Sequence, residues 1–234
     1  MTRIRDDGIR PFDADEDLLE EAVRLGRPRF RVYPWRGRVV VLGRGSDPRR
    51  EVRREALRDP AVSLLRRRGG GCAVLLDPGN LVVSLAFPAE GTGRITRAFD
   101  ASLAWLLRGL EAAGFRDIRR EGISDLAQGD RKVGGTCLYR KTGLVYFSAT
   151  LLAAPDLDLV ERILPHPPRE PAWRRGRPHR EFMGALEGPK ESGDPAALAP
   201  LLEASLPPGP EGFTRMIRED PASQRDLPES SGFN

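Results

Sequence analysis

The stretch LLRRRGGGCAVLLDPGNLVVSL, residues 64–85, carries the strongest local signals in this chain. Glycine has no Cβ and adopts positive φ readily, so the backbone of Gly69, Gly70 and Gly71 can approach a ligand closely. The arginines before them favour an anionic ligand, because a guanidinium group binds carboxylate or phosphate through paired donors. Taken alone, the stretch also fits a hairpin turn with a solvated basic flank.

The same stretch predicts three consecutive strands. Residues 61–67, 73–76 and 81–87 are rich in apolar and β-branched side chains, and the glycines separate the first two. Asp77-Pro78-Gly79-Asn80 has the composition of a tight turn, since proline presets one φ and glycine supplies an unusual one. We therefore expect a β-meander, in which each strand pairs with the next.

Length and composition indicate a globular protein of one large domain. The 234 residues are 39% hydrophobic and 31% charged, and 38 basic residues nearly balance 34 acidic ones for a net charge of +4. No helix-turn-helix or aromatic RNA-binding motif is present, so we expect no nucleic-acid partner. No apolar run approaches the roughly 18 residues of a membrane span, the N-terminus has no signal core, and two cysteines suggest no disulfide framework. These features predict a cytoplasmic protein without a membrane partner.

The rest of the chain alternates helices and strands. Helices are predicted from residue 13 to Leu25, from Pro48 through Leu57, and over residues 95–114, where the apolar spacing is helical. We expect residues 1–12 to form a flexible arm and residues 13–186 a catalytic domain. Residues 187–234 are expected to be a partly disordered extension with one short helix, frayed from Pro221 onward and too short for an accessory domain.

A second informative stretch, GISDLAQGDRKVGGTCLYRKTGLVYFSATLL, covers residues 122–152. A polar loop with Ser124 and Asp125 leads to Lys132, which lies among glycines and is followed by two strands. Alone, a Lys-x-Gly-Gly sequence is a weak signal, because most lysines are simply solvated.

Together, the two stretches resemble the catalytic domain of the lipoate-protein ligase family, within the biotinyl/lipoyl ligase superfamily. The first family motif, an Arg-Arg, a glycine triplet, Ala-Val and Asp-x-Gly-Asn, corresponds here to residues 66–80. The second is an Asn-Asp pair in a loop, a lysine in a Gly-Arg-Lys-Ile-x-Gly-like sequence and a strand ending Thr-Leu-Leu, and it corresponds to residues 124–152. The resemblance covers residues 30–186 and implies an α+β, class II synthetase-like fold with a mixed, largely antiparallel sheet flanked by helices.

The resemblance also implies a two-step reaction. Lipoate and ATP, with Mg²⁺, would give lipoyl-AMP, and the lipoyl group would then pass to a lysine of a lipoyl-domain carrier protein. Lipoate, octanoate and biotin all stay open as the acyl group, with lipoate favoured by the arginine-flanked glycines. Because the family's larger members carry an accessory domain, adenylation would need either a separate accessory subunit or a compact variant of the enzyme.

The resemblance assigns site residues as follows. Lys132 would hold the α-phosphate and the acyl carbonyl oxygen, and Asp125 with Asn80 would lie near a magnesium ion. Substrate and nucleotide contacts would come from Arg67, Gly70, Gly71, Cys72, Ala73, Val74, Leu75, Asp77, Asn80, Gly135, Thr136 and Thr150. The chain departs from the family pattern at Cys72, where many relatives have glycine, and at Ser124, where they have asparagine.

Two rival functions remain open from the sequence. An ATP-independent octanoyl or lipoyl acyltransferase would use a cysteine thioester at Cys137 or Cys72, since a nearby cation lowers a thiol pKa. A non-catalytic relative would only bind a lipoyl group or nucleotide. A zinc site is excluded because the two histidines and two cysteines lack ligand spacing, and no Gly-x-Ser-x-Gly hydrolase motif is present. The Arg/Pro-rich residues 165–178 are expected to form either a solvated edge or a wall of the site, and the tryptophan among the arginines favours a wall.

Overall fold

The computed structural model describes residues 8–58, 62–89, 95–141 and 143–210, apart from the side chain of Leu57. Its strands are β1 (Arg29–Pro34), β2 (Val39–Leu42), β3 (Ser63–Arg66), β4 (Val74–Leu76), β5 (Asn80–Pro88), β6 (Arg119–Glu121), β7 (Asp125–Gln128), β8 (Arg131–Lys141) and β9 (Leu144–Leu152). Its helices are α1 (Glu16–Leu25), α2 (Pro48–Glu51), α3 (Ile95–Ala112), α4 (Leu157–Ile163), α5 (His179–Phe182) and α6 (Pro195–Ser205), with single 3₁₀ turns at Ala56–Arg58 and Ala172–Arg174.

A six-stranded antiparallel sheet forms the centre of the molecule. Its strand order is β1-β5-β9-β8-β7-β6. Successive side chains of a strand point to opposite faces, and both faces of β5 are covered. Leu85 and Phe87 join the core formed with α3 and α6, whereas Ala86 packs with Leu18 and Leu19 of α1. Helices therefore cover the sheet on both sides.

A smaller sheet carries the glycine-rich stretch. Its order is β3-β2-β4, with β2 parallel to β3 and antiparallel to β4. The predicted β-meander is wrong, because β2 lies between β3 and β4 and β5 belongs to the large sheet. The buried face of β2, with Val40 and Leu42, packs with Leu75 and with α4. This long-range packing places β2 where the local pattern predicts a hairpin.

Both ends of the described chain pack on the domain. The Phe12 N–H donates to the Arg66 carbonyl at 2.8 Å, and the Arg66 N–H donates to the Arg10 carbonyl at 2.9 Å, so this part of the predicted arm extends the small sheet at β3. At the other end, Leu198 and Leu202 of α6 are buried in the main core. The compact domain thus extends beyond the boundary at residue 186. Residues 1–7 of the arm and 211–234 of the extension, including the expected frayed tail, lie outside the described residues.

The helices follow the sequence patterns with shorter bounds. The predicted helix from Pro48 through Leu57 ends at Glu51, because Val52 takes an extended conformation. Asp47 caps α2 by accepting a hydrogen bond from the Arg49 N–H at 3.1 Å. Among the described residues, no helix is long and apolar enough to cross a membrane. The sheets and helices confirm the α+β class with a mainly antiparallel sheet.

Candidate active site

A single cavity of about 890 Å³ brings the two sequence motifs together. Residues 67–76, from the end of β3 through β4, form one part of its lining, and β7, β8 and β9 contribute another. Residues of the Arg/Pro-rich segment 165–178 also line it, which agrees with the predicted wall. A volume of this order suits a ligand with several functional parts, since small-molecule pockets span roughly 300–1,000 Å³.

The glycine triplet is held by the side chain of Arg67. Its guanidinium donates to the Gly70 carbonyl at 2.7 Å, to the Cys72 carbonyl at 2.8 Å and to the Val41 carbonyl at 2.9 Å. Gly71 has φ +92°, a conformation that favours glycine. The sequence suggests Arg67 as a direct contact for an anion. In the structure its guanidinium N–H groups donate to backbone carbonyl groups of the loop and of β2. Arg67 therefore lines the cavity mainly by holding the loop in shape.

Glu51 braces the same loop from α2, and nothing in the sequence marked it. Although it is buried, its carboxylate accepts the Ala73 N–H at 2.6 Å, the Ser46 hydroxyl at 2.8 Å and, more weakly, the Asp47 N–H at 3.3 Å. Carboxylates that accept several hydrogen bonds are stabilised even where water is excluded. Sequence spacing gave no signal for this role, because the contact joins positions 22 residues apart.

Lys132 lies near the start of β8 on the cavity wall. Its Nζ is 2.6 Å from Asp125 Oδ1, and 25% of its side-chain surface is exposed to solvent. A Cβ at Gly135 would lie 3.4 Å from Lys132 Nζ, an ordinary contact distance, so the lysine side chain lies beside the backbone of Gly135. The second oxygen of Asp125 accepts the indole N–H of Trp173 at 3.1 Å. The geometry thus presents a lysine cation in the cavity with one buried carboxylate beside it.

Both cysteines line the cavity, and Cys137 is a poor candidate for a thioester. Burial raises the pKa of the Cys137 thiol, an effect that the nearby Arg67 only partly offsets, so little thiolate forms at neutral pH. A Cβ at Gly69 would lie 3.2 Å from Cys137 Sγ, which shows how closely the loop covers this sulfur. Cys72 Sγ lies 3.6 Å from the Arg169 carbonyl.

A buried polar cluster that the sequence did not reveal lies around Asp15, which also lines the cavity. Asp15 Oδ2 accepts hydrogen bonds from Tyr146 at 2.6 Å, Ser84 at 2.7 Å and Tyr33 at 3.2 Å. Burial and the neighbouring carboxylate raise the pKa of both tyrosines well above the usual range. Both hydroxyls therefore stay protonated and act as donors to the carboxylate.

Asp77 and Asn80 do not line the cavity. Both are buried in the turn between β4 and β5, where the Asp77 N–H donates to Asn80 Oδ1 at 3.0 Å. The Asp77 carboxylate in turn accepts the N–H of Gly79 at 2.7 Å and that of Asp156 at 3.1 Å. Their polar atoms serve the turn and its junction with α4, so the predicted contacts of these two residues with substrate or metal need correction.

The residues present do not fit a resident magnesium ion. Both oxygens of Asp125 already have partners, Lys132 and Trp173, and Asn80 is turned into its own loop. Within the described ranges, no group of three or more acidic, histidine or cysteine side chains could hold a metal ion.

The other predicted site residues all line this one cavity. They are Arg67, Gly70, Gly71, Cys72, Ala73, Val74, Leu75, Asp125, Lys132, Gly135, Thr136 and Thr150.

A family model described as the lipoyl protein ligase A/B catalytic domain matches residues 7–187. The chain belongs to this family.

One relative of the chain is a protein of Aeropyrum pernix provisionally named lipoate-protein ligase A. It is 32% identical over 150 residues, which are 64% of this chain and 55% of that protein. Lipoate-protein ligase A of Bdellovibrio bacteriovorus is 29% identical over 143 residues, 59% of this chain and 41% of that one. The chain thus spans about half the length of these curated relatives or somewhat less.

Solved structures share the fold of this lipoyl ligase domain. A bipartite lipoate protein ligase of Thermoplasma acidophilum, described together with its E2 lipoyl domain, superposes with a TM-score of 0.63 at 22% identity, covering 90% of this chain and 83% of that one. A lipoate-protein ligase A bound with ATP gives a TM-score of 0.59 at 21% identity, covering 87% and 81%. At these identities the likeness establishes the fold.

Proposed function

We propose that the chain is the catalytic unit of a lipoate-protein ligase that activates lipoate with ATP and passes the lipoyl group to a lysine of a carrier protein. The observation that carries the proposal is the Lys132 ammonium group, which lies in the wall of the same cavity as the glycine-rich loop. Membership of the lipoyl ligase family supports it. So do related ligases whose structures contain lipoic acid or ATP.

In the first step, a carboxylate oxygen of lipoate attacks the α-phosphorus of ATP, and pyrophosphate leaves. Charge builds up on the phosphoryl oxygens, and a preorganised cation in a water-poor site stabilises it. Lys132 would supply that cation, with the ordered N–H groups of the glycine-rich loop nearby. The Arg67 and Glu51 contacts hold this loop in place before substrate arrives.

In the second step, a carrier lysine amine attacks the acyl carbonyl carbon and loses a proton to solvent, and AMP leaves with the electrons of the broken C–O bond. Lys132 would stabilise the oxygen of this carbonyl as its negative charge develops. A lipoyl-domain carrier is the expected partner, as a related ligase was described together with its E2 lipoyl domain. That relative is bipartite, so we infer that adenylation by this chain can also depend on a second polypeptide. Magnesium would arrive with ATP, bound by its phosphates rather than by the protein.

The remaining cavity residues would contact the ligand. We assign substrate or nucleotide contacts to Gly70, Gly71, Cys72, Ala73, Val74, Leu75, Gly135, Thr136 and Thr150, which surround the same space as Lys132. Apolar side chains from the strands would cover the acyl tail.

The direct test is lipoylation of an apo carrier domain, followed by mass spectrometry, with and without ATP. Lys132→Ala should lower the rate at least about 10²-fold, the scale of losing one preorganised transition-state donor. Lys190→Ala is the matched control, because that side chain is 91% exposed and outside the cavity lining. Unchanged turnover in Lys132→Ala would refute the proposed role of the lysine. Carrier acylation that proceeds without ATP would refute the ligase reaction in favour of an acyltransferase.

A further inference from the structure

A hydrogen-bonded chain connects Lys132 with the Arg/Pro-rich segment 165–178. Asp125 Oδ1 lies 2.6 Å from Lys132 Nζ, and Asp125 Oδ2 accepts the Trp173 indole N–H at 3.1 Å. Asp125 is buried, so each of its oxygens depends on a protein partner. Trp173 is therefore linked to the proposed catalytic lysine through a single carboxylate.

The indole ring of Trp173 is itself held firmly. Its centroid lies 4.5 Å from that of Phe182, with an angle of 53° between the planes, and the Arg177 guanidinium lies 5.7 Å from the Trp173 ring. Arg177 also donates to the Trp173 carbonyl at 3.2 Å and to the Asp130 carbonyl at 2.9 Å. Asp130 is in the turn between β7 and β8, so Arg177 ties the segment to the strands that carry Asp125 and Lys132.

We propose that Trp173 is a positioning residue that acts through Asp125 to hold the Lys132 ammonium group in its reactive place. The inference rests on the proposed function, in which Lys132 is the catalytic cation. It assigns the Arg/Pro-rich segment a role beyond closing the cavity wall, because this segment supplies the donor that orients Asp125.

The physical reason is the freedom of the two side chains. A lysine ammonium group is a point charge on a flexible four-carbon stem, so its position is set by whatever it binds. A carboxylate with only one fixed oxygen can rotate and carry its cation with it. The indole N–H fixes the second oxygen, which leaves the first directed at Lys132. Even a small displacement of a catalytic group lowers the rate of the reaction strongly.

The test is a double-mutant cycle on the carrier lipoylation assay. Trp173→Phe keeps an aromatic ring beside Phe182 and removes the indole donor together with part of the ring volume. It should lower kcat about tenfold while the KM for ATP changes less than about twofold, the effect of one lost charge-assisted hydrogen bond in a positioning role. Asp125→Asn should lower kcat at least as much. Adding Trp173→Phe to the Asp125→Asn variant should lower kcat by no more than about a further twofold.

Two results would overturn the inference in a chain that is active. One is a Trp173→Phe variant with wild-type kcat. The other is a double variant whose kcat falls by the full product of the single effects, since Trp173 would then act independently of Asp125. A wild-type protein without ligase activity would instead overturn the proposed function, and with it the catalytic meaning of this contact.

A spectroscopic readout separates positioning from general damage. The chain has three tryptophans, so ¹⁵N-tryptophan labelling gives three indole signals, and Trp173→Phe identifies the one of interest. Asp125→Asn should move the Trp173 signal and leave that of Trp105, whose indole donates to the Pro207 carbonyl at 2.8 Å. A Trp173 signal that does not respond to Asp125→Asn would contradict the hydrogen bond on which the inference depends.

Discussion

Replacing Gly43, which does not itself line the cavity, with alanine should disable the glycine-rich loop. Gly43 follows β2 directly. A Cβ there would overlap the Gly71 carbonyl oxygen and lie 2.9 Å from its carbonyl carbon and 3.1 Å from Ser46 Oγ. The obstructing group belongs to the backbone, so it cannot swing aside as the end of a side chain can.

The size of the effect follows from these contacts. Non-bonded carbon atoms prefer a separation of about 3.5–4.0 Å, so the Gly71 peptide would have to retreat by roughly 1 Å. Strain of this kind typically costs about 1–3 kcal/mol of folding free energy. Displacing a site group by about 1 Å can lower the rate about 10²-fold. We therefore expect a folded but less stable protein with severely reduced lipoyl-AMP formation.

The assay measures pyrophosphate release with lipoate and ATP, alongside the urea midpoint of unfolding. Gly45→Ala is the matched control, because it lies in the same turn and its added Cβ would have no neighbour within 4 Å. That control should retain activity and stability. If Gly43→Ala turned over at the wild-type rate, the close fit between the two loops would have no bearing on the reaction, and the reasoning would fail.

Three further predictions concern buried groups. Glu51→Ala should lower the free energy of unfolding by about 2–4 kcal/mol in urea titrations, because backbone donors lose their acceptor, while the exposed Glu55→Ala should stay within about 0.5 kcal/mol of wild type. Burial lowers the pKa of His179 below 6.5, so below that pH the unfolded chain binds more protons and stability falls. His179→Gln should flatten this decline between pH 6.5 and 5.5, and a variant with the wild-type slope would contradict the burial effect. Cys137→Ala should keep ligase activity within about threefold, because its buried thiol supplies little thiolate; loss of carrier acylation by mass spectrometry would revive the thioester route.

The sequence predicted the site where local chemistry and order along the chain were sufficient. The glycine triplet and Lys132 do lie in one cavity, as their paired motifs indicated. Residue type was a poorer guide to what each polar group does. Arg67 was expected to contact the ligand from its chemistry and Asn80 from the family resemblance, yet the structure directs the first to backbone carbonyls and the second to a turn. Such choices depend on which partner is nearest in space, and sequence order does not give that.

By itself, the sequence determined the α+β class, the positions of the main helices and strands, and the family to which the chain belongs. These follow from local periodicity, turn chemistry and motifs, which act over a few residues. Only the tertiary structure decided that β2 separates β3 from β4 and that α6 belongs to the core. It also revealed the hydrogen bonds that join Glu51 to the glycine-rich loop and Trp173 to Asp125. These depend on burial and hydrogen bonds between residues far apart in the chain, which are settled only when all the elements pack at once.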